Sequence, residues 1–376
     1  CRIAALRGEN AMPDKIRLGL IGASVGGTWS SRSHLPAVRA SAEIELTAVC
    51  TTRAESAEAA RQAYGARLAF DDYRKMVASP EIDAVAVVVR VPSHYGPTKA
   101  ALEAGKHVYC EWPLGKTTEE AVELTALAKK NGLTTAIGLQ ARANPALIHM
   151  RDLVAAGYVG EMLAVSVTLM REGVLTRPSH RTWQRDVTLG ANTLTIANGH
   201  VLDAMRFVTG DFARLSAVVT TQAKQWLDTG SNTWLDVTSP DNILTSGVLK
   251  SGAVVSSHVA AIPYAGSGFR MEIYGRDGTL AVAGEDSPQL NDVTLTGAQR
   301  GNALAPITVP RELTVASAAT PAGEAFHVGQ MYTAFARAIG GGKADQPNFE
   351  TAVEMHRLVD AIRQASDTGR AVEMAK

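Results

Sequence analysis

Ile16-Arg-Leu-Gly-Leu-Ile21-Gly22-Ala23-Ser24-Val25-Gly26-Gly27 decides how the first third of this chain is read. An apolar, strand-forming run passes directly into a glycine-rich turn. Such a turn brings backbone N–H groups close to a phosphate, and the positive end of a following helix adds to the attraction. The match to Gly-x-Gly-x-x-Gly is imperfect, because Ser24 stands at the second glycine position and Gly27 at the third. Alone, the turn serves structure as well as it serves binding. The residues that follow favour binding. Strand-like runs at 45–50, 84–89, 107–110 and 134–139 alternate with helix-like segments at 54–64, 71–78, 97–104 and 118–130. The run 84–89 is apolar throughout, as expected of a parallel strand covered on both faces. Thr117 with Glu120 forms a capping-box pattern, and Asn131-Gly132 is a helix stop. The alternation predicts an α/β fold whose first domain, 13–138, is a Rossmann doubly wound parallel sheet that binds a dinucleotide.

Beyond residue 139 the pattern changes. One helix, 145–156, closes at Gly157, and strand-like runs follow at 162–170, 215–222, 242–249, 253–260, 269–274 and 279–283. Lys250-Ser-Gly252 and Arg276-Asp-Gly278 read as tight turns between strands. A helix at about 199–208 interrupts them, 284–322 reads as irregular, and helices at 326–339 and 348–365 are split by Gly340-Gly-Gly342. The expectation is a C-terminal α+β domain over 139–346 with a large, mainly antiparallel sheet for substrate binding and oligomerisation. A last helix, about 347–367, is expected to pack back on the first domain. Residues 1–12 read as a leader or remnant, with Met12 a candidate start.

Lys+Arg and Asp+Glu are both 37, so the formal net charge is zero and nothing favours nucleic acid as a partner. No run approaches the ~20 apolar residues of a membrane span. Cys1, Cys50 and Cys110 form no Cys-x-x-Cys or Cys/His cluster, so no metal site is expected. Cys50 and Cys110 read as small buried hydrophobes in a reducing, cytoplasmic protein.

The second strand ends in Cys50-Thr51-Thr52-Arg53, with no Asp or Glu to accept from a ribose 2′-hydroxyl. Thr51 and Thr52 suit a 2′-phosphate, and Arg53 either pairs with it or starts a helix in solvent. The cofactor reading is therefore NADP or NAD, leaning to NADP.

Ala104-Gly-Lys-His-Val-Tyr-Cys-Glu-Trp-Pro-Leu-Gly115, Ser33-His34-Leu-Pro-Ala37, Pro92-Ser-His94 and Gly190-Ala-Asn-Thr-Leu-Thr-Ile196-Ala-Asn198-Gly-His200 resemble the glucose-fructose oxidoreductase / inositol dehydrogenase (Gfo/Idh/MocA) family. The resemblance covers about 14–283. It implies an NAD(P)-dependent oxidoreductase acting on a sugar, polyol or glycoside, either by plain hydride transfer or by transient oxidation within glycoside cleavage. By carry-over, Gly22, Ala23, Ser24, Val25, Gly26, Gly27, Val91, Pro92, His94, Glu111, Trp112 and Gln140 lie on the cofactor side, with Thr51, Thr52 and Arg53.

The chain departs from the family where the chemistry is expected. Family members read Glu-Lys-Pro and Asp-x-x-x-His, whereas Trp112 replaces the lysine and Ile196 the aspartate. His200 remains, either as a general base or as a helix-start histidine with a structural hydrogen bond. The resemblance places His200, Trp112, Gln140 and Arg142 at the catalytic position. It places Trp112, Arg142, His180, Trp183, Asn198 and His200 around the substrate. Arg142 either binds a hydroxyl or anionic group or forms a structural ion pair. Loops 171–192 and 223–241 shape the pocket. The departures match a branch resembling fungal galactose-pathway repressors, which implies a second reading: a non-catalytic NAD(P)-binding regulator. A homodimer or homotetramer through the second-domain sheet is also implied.

Overall fold

A computed structural model of the chain describes residues 15–374. The expected leader at 1–12 lies outside these residues. Six parallel strands, β1 (Ile16–Ile21), β2 (Ile44–Cys50), β3 (Leu68–Phe70), β4 (Ala84–Val87), β5 (His107–Glu111) and β6 (Thr135–Gly138), form one sheet in the order β3-β2-β1-β4-β5-β6. The order reverses between β1 and β4, which opens a crevice at the strands' carboxyl ends. Ile21 pairs with Cys50 on one side and Val87 on the other, so the ends of these three strands lie level beneath the glycine-rich turn.

Both faces of this sheet are apolar, and period-two alternation sorts them. Leu18, Leu20, Ala84, Ala86 and Tyr109 pack with Leu35 and Val38 and with Val328, Met331, Tyr332 and Phe335 of the helix Glu324–Ile339. Val85, Val87, Val108, Cys110 and Ile137 face the opposite core, which includes Leu124 and, from the helix Phe349–Thr368, Phe349 and Leu358. That last helix is tied to both domains. Phe349 N–H donates to Thr135 Oγ1 at 3.2 Å, and Ser366 Oγ accepts from Val219 N–H at 2.9 Å.

The second domain is built on a nine-stranded sheet. Met162–Arg171 lies at its centre, parallel to Val254–Ala261 and antiparallel to Gly268–Gly275, and the other neighbouring pairs are antiparallel. One face carries Val165, Val167, Leu169, Val255 and Val259 into the core. The other exposes Val218, Leu244, Val254 and Tyr274. A small three-stranded sheet, Thr176–Arg177, Gln225–Asp228 and Thr233–Asp236, forms within the two long loops.

The structure differs from the sequence expectation in three places. β3 is only three residues long, below the length at which alternation is visible. A helix runs from Ser30 to Ala40, its first turn π-helical, although Ser30-Ser-Arg-Ser-His-Leu-Pro36 is poor in helix formers. The stretch 284–322 was expected to be irregular, yet Thr294–Gln299 adds to the large sheet beside Gly278–Gly284. Its alternating burial rests on one large apolar residue, Leu295, so little signal reached the sequence. The Thr117 cap forms with Glu120 N–H, but the Glu120 carboxylate reaches Lys116 N–H.

Candidate functional site

The glycine-rich turn crosses the carboxyl ends of β1 and β4. Gly22 has φ +95°, and a Cβ there would stand 2.1 Å from the Val88 carbonyl oxygen, so the crossing excludes any side chain. Ser24, Val25, Gly26 and Gly27 are exposed. Tyr64 props the turn, donating to Ser24 O at 3.0 Å and accepting from Gly26 N–H at 3.4 Å. Among the described residues the Val25 and Gly27 N–H groups make no hydrogen bond. An exposed turn with free N–H donors before the helix at Ser30 fits a dinucleotide's pyrophosphate. At the end of β2, Thr51 Oγ1 bonds Ser56 Oγ and Arg53 O, while Thr52 and Arg53 are exposed. Arg53 makes no ion pair among the described residues and starts the helix Ala54–Tyr64.

Glu111, at the end of β5, is the hub of a buried polar chain. Its Oε1 lies 2.8 Å from His34 Nε2 and accepts from Gln140 Nε2 at 2.8 Å. His34 Nδ1 meets the Tyr332 hydroxyl at 2.7 Å, and Gln140 also reaches the Tyr109 hydroxyl at 3.4 Å. Gly138 makes room, since a Cβ there would stand 2.6 Å from the carboxylate. Burial pushes the Glu111 carboxyl up, but the His34 hydrogen bond and charge, the Gln140 amide and nearby His200 hold it below its ordinary value. Glu111 is therefore a fixed negative charge. The Gln140 Oε1 atom is buried with no partner.

Trp112 does not project into open space. Its indole Nε1–H donates to Thr195 O at 2.8 Å, and its ring centroid lies 4.9 Å from that of His356. A Cβ on Gly199 would stand 2.6 Å from Nε1, so the small residue accommodates the large one. The Trp112–Pro113 peptide is cis. His94 ties the same turn down, with Nδ1 2.6 Å from Pro113 O and Nε2 3.0 Å from Val89 O. It is buried, and burial lowers its pKa. His94 is thus a strut that ties the ends of β4 and β5 together. Val91 is buried in the short helix Val91–Ser93, with Pro92 partly exposed beside it.

Arg142 resolves to the structural alternative. It makes a forked ion pair with Asp203, Nε–Oδ2 2.9 Å and Nη2–Oδ1 2.7 Å, with Asp203 fully buried. Burial works to lower the guanidinium's pKa, and Asp203 overrides it. The ion-pair alternative for Arg142 is therefore formed, through the Nε and Nη2 edge of the guanidinium.

His200 lies in the helix Asn198–Thr209, 5% exposed, with Nδ1 buried and unpartnered. Burial pushes it down to about 4, against the pull of Glu111 and Asp203 and with the push of Arg171. It is a neutral imidazole at neutral pH, and so able to accept a proton. Asn198 is fully buried, with both amide atoms unpartnered.

The substrate-side expectation for His180 and Trp183 shifts by one residue. The 3-10 helix Ser179–Arg185 is clasped by Arg90, which donates to His180 O at 3.1 Å and lies 5.4 Å from the Trp183 ring. Residues three apart share a face of such a helix. His180 and Trp183 thus meet the first domain, while Arg181 and Gln184 line a cavity of about 150 Å³. Asn192, Ile196 and Trp226 line the same cavity, as does Arg171, close enough to act on His200. Trp112 meets this cavity's wall from outside, through the Thr195 carbonyl. Sequence reasoning missed His34, Tyr332, Arg171, Arg177, Asn192 and Trp226. His34 and Asn192 stood in quoted motifs, and Arg171, Arg177 and Trp226 lay in the loops expected to shape the pocket without being singled out, while Tyr332 carried no local signal.

Fold and site together define a two-domain, dinucleotide-binding architecture with its cleft at the carboxyl edge of the parallel sheet. Residues 16–139 match the model of the oxidoreductase family with an NAD-binding Rossmann fold, and residues 145–284 match the Gal80p C-terminal domain. The first domain thus carries the NAD-binding Rossmann fold of that oxidoreductase family, and the second resembles the Gal80p C-terminal domain. It is 32% identical over 212 residues to dehydrogenase aclE of Aspergillus oryzae, covering 55% of this chain and 58% of that protein. It is 31% identical to D-glucoside 3-dehydrogenase of Escherichia coli, covering 52% and 54%. The alignments thus span less than two thirds of these relatives' length. A super-repressor mutant of Gal80p from Saccharomyces cerevisiae shares the fold with a TM-score of 0.84 at 20% identity, covering 96% of this chain and 98% of that one.

Proposed function

We propose that the protein is an NAD(P)-dependent oxidoreductase of a sugar, polyol or glycoside. The observation that carries this reading is the exposed glycine-rich turn with free Val25 and Gly27 N–H groups at the carboxyl edge of the parallel sheet, with the buried, unprotonated His200 near Glu111. An imidazole can accept a hydroxyl proton only when unprotonated, and although burial weakens His200 as a base, a nearby carboxylate stabilises the imidazolium that results. The likeness to a D-glucoside 3-dehydrogenase supports a carbohydrate substrate.

Gly22 to Gly27 would hold the pyrophosphate of NAD(P), and Thr52 and Arg53 the adenosine ribose or its 2′-phosphate. When bound, the nicotinamide ring supplies the hydride acceptor. Glu111 and Gln140, locked to His34 and Tyr109, keep the nearby edge of the cleft rigid. Exposed Arg53 and the missing acid at the end of β2 favour NADP. The apolar outer face of the large sheet, with Val218, Leu244, Val254 and Tyr274, supports a homo-oligomer, and buried, unpaired cysteines support a cytoplasmic setting.

Purified protein given NAD or NADP with a panel of sugars and glycosides is expected to produce reduced cofactor or released aglycone, and His200→Ala to abolish either. One observation favours a second reading. The acid–base positions of the family hold Trp112 and Ile196, and residues 145–284 match Gal80p. Cofactor binding without turnover on any substrate would establish that regulator reading in place of the enzyme.

A further inference from the structure

The cavity lined by Asn192, Ile196 and Ala197 is built unlike a site for a neutral sugar. Three arginines line it: Arg171, Arg177 and Arg181. Arg171 is neutralised by Asp286 at 2.6 Å. Arg177 and Arg181 make no ion pair among the described residues, and the charges acting on each are other arginines. Arg177 spends one nitrogen on the carbonyls of Gly173 and Thr176, lies 4.5 Å from the Trp226 ring, and has its Nε buried without a partner. Burial and these neighbours push it down to about 10.

A separate group shows the same deficit. Asn192 is 7% exposed and uses its Oδ1 to cap Leu194 and Thr195, but its Nδ2 is buried with no acceptor. The one carboxylate on the rim, Glu172, is exposed and accepts from Ala265 N–H at 3.2 Å. A buried guanidinium N–H on Arg177 and a buried amide N–H on Asn192 without acceptors are costly unless something completes them. What they lack is negative charge and acceptor oxygens, and a planar guanidinium matches a carboxylate or phosphate. The volume equals about five waters at ~30 Å³ each. That is room for a charged arm and the adjoining ring of one monosaccharide, not for an oligosaccharide.

We propose that this cavity selects an anionic monosaccharide, with Arg177, Arg181 and Asn192 holding a carboxylate or phosphate arm and Trp226 fixing the plane of Arg177. The proposal rests on the oxidoreductase reading for turnover, but not for binding. The test compares D-glucuronate, D-galacturonate and D-glucose 6-phosphate with neutral D-glucose and D-galactose, both as substrates with NAD(P) and as ligands by calorimetry. The proteins are wild type, Arg177→Gln and Arg181→Gln. Arg181 is exposed enough for its variant to fold, and melting temperature checks both. At least one acid is expected to exceed its neutral parent about 10- to 100-fold in kcat/KM or affinity, the scale of one charge-assisted fork. Both variants are expected to erase that preference through KM rather than kcat. Relative binding of uronate and phosphate identifies the arm. Equal use of neutral and acidic sugars, unchanged in the variants, would overturn the proposal while leaving the oxidoreductase reading intact. Acid binding lost in the variants, with no turnover of any sugar, would uphold the cavity and defeat the enzyme reading.

Discussion

The carboxyl edge of the parallel sheet and the arginine-lined cavity treat their charged groups in opposite ways, although Gln140 Oε1, His200 Nδ1 and the Asn198 amide near the first also lack partners. Around Glu111 the charged groups find partners: His34, Tyr332, Gln140 and Tyr109 form a connected chain, and Arg142 is forked onto Asp203. Around Arg177 the polar groups are left wanting. A satisfied network rigidifies a fold, whereas an unsatisfied one is tolerated where a ligand completes it. The difference separates what holds the cleft in shape from what the cleft is shaped for.

The sharpest way to break this contrast is at the satisfied end. Asp203→Ala leaves the Arg142 charge buried and alone, and is expected to cost about 3–5 kcal/mol in denaturant unfolding. Acid should probe the same region next. Burial pushes both His200 and His356 from 6.5 to about 4. The unfolded imidazole therefore takes up its proton first. Stability should be complete above pH 6.5 and fall by roughly 3 kcal/mol per histidine as pH drops to 4. Unfolding midpoints followed from pH 7 to 4 would show it, and His356→Gln should remove part of the slope. A smaller effect is expected from Gly199→Ala, whose methyl group displaces the Trp112 indole. About 1–3 kcal/mol of overpacking is expected, with a change in tryptophan fluorescence. At the far end, Arg181→Gln should alter stability by no more than ~0.5 kcal/mol while removing the preference for acids. A large loss of stability there would make the arginines structural and erase the contrast.

The sequence revealed the first domain better than the site. Continuous apolar runs and a glycine-rich turn are local signals, so β1, β2, β4, β5 and β6 stood out, whereas β3 was too short to show a period. The helix Pro145–Ala155 was visible with its Gly157 stop, and Asn198–Thr209 and Phe349–Thr368 were placed to within a few residues. The site was harder because its decisive relations are long-range. Arg142 looked as able to bind substrate as to pair with an acid until Asp203 was seen beside it. His180 and Trp183 were expected around the substrate, but only the three-residue turn of their helix gives them to the first domain and Arg181 and Gln184 to the cavity. Trp112 was legible as a departure from the family, but not as a residue buried against His356.

The two C-terminal helices carry a consequence for how the chain assembles. The inner face of β1 and β5 is closed by Tyr332 and Phe335, and β6 is met by Pro347, whose carbonyl accepts from Ile137 N–H at 2.9 Å. The dinucleotide-binding unit is therefore contiguous in space but not along the chain. While a ribosome is still making the large sheet, the emerged first 140 residues have one side of their strands uncovered and His34 without its tyrosine. The nucleotide-binding core is therefore complete only once the last two helices are in place.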